Sequence, residues 1–572
     1  MKTTREVAIY LESYCTLLEL SGAETFRARA YSNAVRIFEN MEDDIDRLVE
    51  EKKLTSIKGI GKSVASLVEE FYSTGSSTAF IKLQETIPNG LLEMLRIPGL
   101  GPRKISILHK EANIDTVDQL SAACKNGSLS ELKGFGEKTQ NNILEGIELL
   151  KENQGRTRID IAGNETVPLY RALKNNQNIL QIEIAGSFRR ALETVKDIDF
   201  VISATDPAAA TELFTQHSSV KEVIQQGKTK SAVRLHSGLQ VDLRIVSEEE
   251  FPYTLHHFTG SKEHNVALRA RANERGLKIN EYGLYKDEER IRCVGENDFF
   301  AALGLQYIPP ELREGQGEIE AAEKETIPDL ISSNDIKGML HIHSNYSDGI
   351  DSISDLATAV KLRGFSYMGL TDHSQTAAYA GGLSFDRVKR QWEEIDILNE
   401  TLAPFKILKG IESDILSDGS LDYKDNELEQ FDFIVASIHS QFNMDREKMT
   451  ERIVRAISHP STCIIGHLTG RLLLERPGYE LNLDIIFEEA ALNNVSIEIN
   501  AHPSRLDLDW RHIKTARDSG VLISINTDAH QLSGLDNLQY GIGVARKGWL
   551  QKSDVLNTVD AAAFIKFAKN KL

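Results

Sequence analysis

The sequence predicts a multidomain chain: an α-helical N-terminal region, a mixed α/β core and a C-terminal β/α barrel. Three observations carry this reading. A short glycine-hairpin motif between helical patterns recurs three times before residue 150. Alternating strand patterns with carboxylates on one face follow, to about residue 315. From about residue 338, short apolar runs each end in His, Asp, Glu or Asn and lead into a helical segment. A length of 572 residues suits three or four domains. With 41% hydrophobic and 26% charged residues, the chain belongs to the globular class. No apolar run is long enough to span a membrane, and Met1-Lys2-Thr3-Thr4-Arg5-Glu6 lacks the apolar centre of a signal peptide. Cys15, Cys124, Cys293 and Cys463 are far apart and fit reduced thiols, so a cytoplasmic location is expected. The formal charge of −19 argues against broad attraction to nucleic acid, while leaving room for local basic surfaces.

The N-terminal region divides into a first helical domain, 1–80, and a second, 81–150. Its repeats are Ile57-Lys58-Gly59-Ile60-Gly61-Lys62, Ile97-Pro98-Gly99-Leu100-Gly101-Pro102 and Leu132-Lys133-Gly134-Phe135-Gly136-Glu137. Each reads apolar-x-Gly-apolar-Gly, and they resemble helix-hairpin-helix motifs. The glycines Gly59, Gly61, Gly99, Gly101, Gly134 and Gly136 permit a tight hairpin and close approach of a sugar-phosphate backbone. The N–H groups that open the second helix then face a phosphate. Such contacts position DNA without reading its sequence.

The α/β core, 151–315, centres on Gly186-Ser187-Phe188-Arg189-Arg190 and Asp197-Ile198-Asp199-Phe200. The Gly-Ser turn and the paired arginines offer donors to phosphate oxygens. Strand alternation puts Asp197 and Asp199 on one face, with Ile198 and Phe200 directed to a core. Asp242, in Gln240-Val241-Asp242-Leu243-Arg244, adds a third carboxylate from a second alternating segment. Three carboxylates on neighbouring strands can hold two hard divalent cations for in-line phosphoryl transfer.

Past Asp242 come His256-His257-Phe258-Thr259-Gly260-Ser261, Asn265 and Arg269. On these motifs residues 1–315 resemble the family X DNA polymerases, which implies an α/β nucleotidyltransferase core. By that resemblance Ser187 and Arg190 bind the incoming triphosphate, and Asp197 and Asp199 bridge two Mg²⁺ ions. Asp242 holds the catalytic metal and draws the primer 3′-hydroxyl proton, with Arg244 beside it. Phe258 and Gly260 shape the sugar pocket, Asn265 touches the base or minor-groove edge, and Arg269 meets the template. His257 stands where the family usually has tyrosine. The family's lyase lysine has no counterpart, because Leu67 occupies its place after the first hairpin. Leu67 reads as a core residue, and Lys53 and Lys62 are the nearest amines. Arg27, Arg29 and Tyr31 resemble the residues that grip a 5′-phosphate.

Residues 316–337 are acidic and read as a solvated linker. The remainder, 338–572, ends its apolar runs in His341 and His343 (then Asp348), Asp372 and His373, Glu412, His439, His467, Glu498 and Asn500, and Asp528 and His530. Barrel sites lie at the C-terminal ends of the strands, where these residues fall. This half resembles the PHP domain, a distorted seven-stranded (β/α)7 barrel with a cluster of up to three metals. The resemblance makes His341, His343, Asp348, His373, Glu412, His439, His467, Asp528 and His530 the ligands. Their mixed imidazole and carboxylate character suits Mn²⁺ or Zn²⁺ better than Mg²⁺. Met339 and Leu468 depart from the family at positions that are not ligands, and Arg471 and Arg505 are candidates for substrate phosphate.

The order of domains resembles the bacterial PolX type. It implies a gap-filling DNA polymerase for repair, with a PHP 3′–5′ exonuclease and an abasic-site endonuclease in some members. The expected partners are gapped or primed DNA and dNTPs, without membrane, for a monomer. The alternative is a small-molecule phosphoesterase joined to a nucleotidyltransferase for another substrate. The three hairpins and Phe258-Thr259-Gly260-Ser261 favour DNA.

Overall fold

A computed structural model describes residues 4–22, 25–39 and 45–569. Residues 474–476 apart, they form two compact units, one up to Gln154 and one from Gly155 onward.

The first unit is helical, from Thr4–Leu20 to Glu137–Glu152. It has two cores. Val7, Leu11, Tyr14, Phe38, Val64, Leu67 and Phe71 fill one; Leu91, Met94, Leu100, Leu108, Phe135 and Ile147 fill the other. Phe80 packs against both. Leu67 is 3% exposed, as its helical spacing with Val64 and Val68 predicts.

The second unit begins with a short antiparallel pair, β1 (Thr157–Arg158) and β3 (Thr194–Val195). A five-stranded sheet is built from β2 (Ile179–Ile184), β4 (Asp197–Ala204), β5 (Val220–Gln225), β6 (Lys230–Leu235) and β7 (Gln240–Val246). Its order is β2-β4-β7-β6-β5, and β4 and β7 are parallel while the other pairs are antiparallel. Ile198, Phe200 and Ile202 of β4 join Val241, Leu243 and Ile245 of β7 in a core with Leu169, Leu173 and Phe214 from two helices. On the other face Val201 is covered by Phe251 and Leu255 of the helix Phe251–Thr259. That cover stops short of Asp197 and Asp199, which leaves a cleft. A three-stranded antiparallel sheet follows, of β8 (Leu277–Asn280), β9 (Gly283–Lys286) and β10 (Glu289–Ile291).

Parts of 316–337 are buried where the sequence reading expects a solvated linker. Glu318 is 1% exposed beside His264 Nδ1 at 2.8 Å, and Ile331 and Ile336 join the barrel core. Glu318 is the exception among these acids, while Glu320, Glu323, Glu325 and Asp329 are exposed as the composition predicts.

The barrel is a run of seven parallel strands in sequence order: β11 (Gly338–Met339), β12 (Tyr367–Leu370), β13 (Lys406–Asp414), β14 (Phe433–Ser437), β15 (Ile464–Ile465), β16 (Ser496–Asn500) and β17 (Ile523–Asn526). An isolated parallel bridge between Ile342 and Ala529, just past the ends of β11 and β17, brings the ring nearly to closure. Strands this buried read as continuous apolar runs. At their N-terminal ends Phe433 lies over Gly369 and Gly410, where an added Cβ would come within 2.4 and 2.5 Å of its ring. The C-terminal helix Ala561–Lys569 seals that end. Its buried Phe564 meets the rings of Tyr367 and Phe433 at 6.0 and 5.3 Å.

Candidate active sites and nucleic-acid contacts

The pairing of β4 with β7 sets Asp199 directly across from Asp242 and Asp197 across from Gln240. Gln240 Nε2 donates to Asp242 Oδ1 at 2.8 Å. Burial, followed by the charges of Asp197 and Asp242, pushes the Asp199 carboxyl up to about 7. Burial and Asp242 also raise Asp197. Three carboxylates crowded this way repel one another, and divalent cations relieve that repulsion. The residues present therefore fit the metals that the site implies. Gly186 crosses close over the site in a left-handed conformation, φ +64°, where a Cβ would lie 2.3 Å from Asp199 Oδ2.

A cavity of about 410 Å³ opens beside these acids. Ser187, Arg190, Phe258, Gly260, Asn265 and Arg269 line it, as does His257. Arg244 lies over the Phe258 ring at 4.5 Å, so the ring is held from the acid side. Asn265 Nδ2 donates to the backbone oxygen of His257 at 2.8 Å, so half of its amide steadies the pocket wall. Burial, then Arg269, lowers the pKa of His257, and its Nδ1 faces Arg269 at 3.3 Å. Gly260 has φ +72°, and a Cβ there would meet Arg190 at 3.0 Å.

The structure corrects the reading of paired arginines. Gly186–Arg189 is one helical turn, so Arg189 and Arg190 diverge. Arg189 turns away to Glu296 at 2.7 Å and Thr259 Oγ1 at 2.7 Å. Arg190 alone faces the cavity, its Nε on Glu314 at 2.9 Å and one terminal nitrogen on the Thr259 carbonyl at 2.5 Å.

At the other end of the second unit, the strand ends of the barrel bring His341, His343, Asp348, His373, Glu412, His439, His467, Asp528 and His530 together. Glu412 is the hub. Its Oε1 lies 3.4, 3.3 and 3.0 Å from Nε2 of His341, His439 and His467. Its Oε2 lies 3.6 Å from His343 and 2.9 Å from His373. Asp348 sits 3.5 Å from His373 and 3.4 Å from His530, and Asp528 3.2 Å from His343. Three donor groups stand within 4.8 Å of one another: His343, Asp348, His373 and His530; His341, His343 and Asp528; and His373, Glu412 and His439. His341 Nε2, both nitrogens of His343, His373 Nδ1 and Glu412 Oε2 are buried without a hydrogen bond. Orphaned buried ligand atoms gathered into such groups fit bound transition metals. Burial, with His530 and His373, lowers His343 to about 3, which keeps its imidazole neutral. His467 and Asp528 adopt left-handed backbone, φ +26° and +49°, conformations that non-glycine residues hold only where the surroundings enforce them.

Two acids behind the ligands carry support that the sequence reading did not assign. Glu498 Oε1 meets His341 Nδ1 at 2.7 Å and accepts from Asn526 Nδ2 at 2.9 Å. Its Oε2 accepts from the His467 N–H at 2.8 Å and Asn500 Nδ2 at 3.1 Å. Asp414 meets His439 Nδ1 at 2.6 Å. Such partners fix the ring and tautomer of a metal ligand. A sequence signal existed for Asp414, two residues after Glu412 and so on the same strand face. Arg505 lies 3.5 Å from Asp528 at the rim. Arg471 is corrected: it is spent on Asp509, Glu193 and the carbonyls of Arg505 and Leu506, and does not face the cluster.

In the first unit the three hairpins repeat one geometry. Gly59, Gly99 and Gly134 have φ +101°, +75° and +93°. Ile60, Leu100 and Phe135 bury their side chains, and each N–H bonds back three residues at 3.1 Å. Gly61, Gly101 and Gly136 are the N-caps of Lys62–Thr74, Pro102–Ala112 and Glu137–Glu152. These second glycines have ordinary backbone angles, and a Cβ at any of them meets nothing within 4 Å. Nothing inside the chain requires glycine there, whereas a phosphate backbone lying against the helix N-terminus would. The side chain of Arg27 lies outside the described residues.

Fold and sites together define a nucleotidyl-transfer palm joined to a metal-dependent phosphoesterase barrel, preceded by hairpin-bearing helical domains. Family comparisons agree along the chain. Residues 3–77 match a helix-hairpin-helix domain, 91–148 a SAM-like helix-hairpin-helix tandem, 254–314 the DNA polymerase beta thumb and 339–502 the PHP domain. The chain is 40% identical over 569 residues to the DNA polymerase/3′-5′ exonuclease PolX of Bacillus subtilis (strain 168), covering 98% of this chain and 99% of that protein. DNA polymerase lambda of Rattus norvegicus is 24% identical over 51% of this chain and 53% of its own length. A probable phosphatase of Thermoanaerobacter sp. (strain X514) is 25% identical over 40% of this chain and 94% of its own. The chain belongs to the bacterial PolX family, the family X DNA polymerases that carry a PHP domain. No helix among the described residues is long and apolar enough to cross a membrane.

Proposed function

We infer that this protein is a DNA polymerase and 3′–5′ exonuclease with a separate centre for each reaction, filling short gaps in DNA repair. The observation that carries synthesis is the register of Asp199 against Asp242, with the cavity of Ser187 and Arg190 beside it. In this reading Asp197, Asp199 and Asp242 hold Mg²⁺, and His341, His343, Asp348, His373, Glu412, His439, His467, Asp528 and His530 hold up to three Mn²⁺ or Zn²⁺ ions. Divalent metals supply Lewis acidity and a nucleophile at neutral pH in both centres. The chain's own residues do the rest. Arg190 and Ser187 orient the triphosphate, Phe258 and Gly260 fit the sugar, Asn265 and Arg269 meet base and template, and Arg505 steadies a phosphate beside the barrel cluster.

The domain assignment follows: 1–80 and 81–150 bind DNA through the glycine hairpins, 151–315 form the polymerase, and 338–572 the nuclease. The two cores of the first unit and the two centres of the second support it. The substrates are gapped or primed DNA and dNTPs, the protein works as a monomer in the cytoplasm, and abasic-site cleavage belongs to the barrel centre. Labelled gapped DNA with Mg²⁺ or Mn²⁺ tests the reading. Asp242→Ala should lose extension by at least about 100-fold and retain shortening, and His341→Ala should do the reverse. Near-normal extension by Asp242→Ala would remove the palm assignment.

A further inference from the structure

The segment that presents Arg190 to the cavity is gripped by the barrel domain. Lys547, at the end of the helix Leu538–Lys547, is 1% exposed. A lysine in the last turn of a helix is ordinary as a surface residue facing the dipole, but full burial requires partners. Its ammonium donates to Glu314 Oε1 at 2.5 Å, the backbone oxygen of Arg190 at 2.9 Å and the backbone oxygen of Glu311 at 3.4 Å. It also stands 4.7 Å over the ring of Trp510. The oxygen of Glu314 that takes Lys547 also takes Arg190 Nε at 2.9 Å. One carboxylate oxygen thus ties a barrel cation to a palm cation, and the same lysine holds the Arg190 main chain.

Two neighbours tighten this contact. Gly543 of the same helix leaves room for Ala191, since a Cβ at 543 would lie 3.0 Å from the Ala191 Cβ. Glu193 accepts from Arg471 at 3.3 Å. The backbone between Arg190 and Glu193, including Ala191 at φ +54°, is therefore held in place from the barrel side.

We propose that Lys547 is a positioning residue for nucleotide binding: through Glu314 and the Arg190 carbonyl, the nuclease barrel fixes the arginine that receives the incoming triphosphate. The proposal rests on the reading of Arg190 as a triphosphate ligand. It makes the barrel part of the polymerase, because a palm lacking this support would present a loosely aimed guanidinium. The coupling is thermodynamic, so its size appears as a shift in nucleotide affinity.

The test uses the full chain, a one-nucleotide gap and varied dNTP. Lys547→Met should raise the KM for dNTP roughly 5- to 50-fold. It should change kcat by less than about threefold, because the acids that carry the reaction stay in place. Shortening of a 5′-labelled single strand should stay near wild type. Glu314→Gln should raise the KM similarly, and adding Lys547→Met to it should cost little more, since both cut one relay. Wild-type KM in both single variants, while Arg190→Ala raises it, would overturn the proposal alone. Wild-type KM in Arg190→Ala would overturn the proposal together with the reading beneath it. If Lys547→Met also loses nuclease activity and melts early, Glu314→Gln decides: a raised KM with intact nuclease supports the relay, and an unchanged KM refutes it.

Discussion

Replacing Glu498 by glutamine tests whether the barrel centre depends on the carboxylate behind its ligands. Glu498 is fully buried, and its two oxygens serve four partners: His341 Nδ1, Asn526 Nδ2, the His467 N–H and Asn500 Nδ2. Glutamine keeps the shape but supplies one acceptor oxygen and an NH₂. Whichever way the amide turns, the NH₂ confronts two donors, so two of the four contacts are lost along with the charge. Loss of such a supporting carboxylate costs about 10- to 100-fold in metal affinity. That corresponds to about 1.4–2.7 kcal/mol. The assay is removal of nucleotides from a 3′-labelled single strand across a Mn²⁺ titration. Half-maximal activity should require 10- to 100-fold more Mn²⁺, saturating Mn²⁺ should restore the rate, and extension should be unchanged. Full activity at limiting Mn²⁺ would refute the supporting role. So would a loss that saturating Mn²⁺ cannot restore in a protein that still melts normally.

Other expectations follow from the same geometry. Purified protein should carry transition metal that falls when His439 or His467 becomes alanine, and the nuclease should prefer Mn²⁺ to Mg²⁺; a nuclease working without added metal, in protein free of transition metal, would contradict this. Borohydride trapping on a 5′-deoxyribose-phosphate substrate should be weak, because Leu67 is a packed core residue and Lys62 is exposed at a helix start; strong trapping at a single lysine would show a relocated nucleophile. Burial works to raise the Glu296 carboxyl, but Arg313 at 2.5 Å and Arg189 at 2.7 Å outweigh it and hold it below its ordinary 4.5. Its contribution is therefore complete above pH 4.5 and is lost as pH falls through the lower folded value. Glu296→Gln should lower the melting temperature at neutral pH and flatten its fall below pH 4.5, and parallel pH profiles for both proteins would count against the buried ion pair.

The sequence was most legible where spacing alone fixes direction. Alternation put Asp197 and Asp199 on one face, and the repeated strand-end pattern led to one cluster at one end of a barrel. Three similar hairpins were visible as a repeat. What stayed hidden was partnership between distant residues. Arg189 and Arg190 are neighbours in sequence, and only the helical turn reveals that one faces Glu296 and the other the cavity. Arg471 follows a strand-end histidine, but Asp509 and Glu193 claim it. Glu318 looks solvated because its partner, His264, lies far away in the chain. Glu498 ends an apolar run as the candidate ligands do, and only the packing of the ring shows that it stands behind His341 and His467.

The aromatic floor under the barrel has a kinetic consequence. With Phe564 packed against Tyr367 and Phe433, and the barrel interior filled by its own side chains, the metal-type cluster can be reached from one end of the ring only. A DNA end cannot pass through it as a strand passes through a channel. On the proposed nuclease reading, a nucleotide cut from the end would leave by the opening through which the strand came in, so departure of product and advance of the next residue would compete for one doorway. If the barrel centre trims 3′ ends as proposed, free nucleoside monophosphate should therefore inhibit it in competition with the strand, and trimming that ignores added monophosphate would count against a shared doorway.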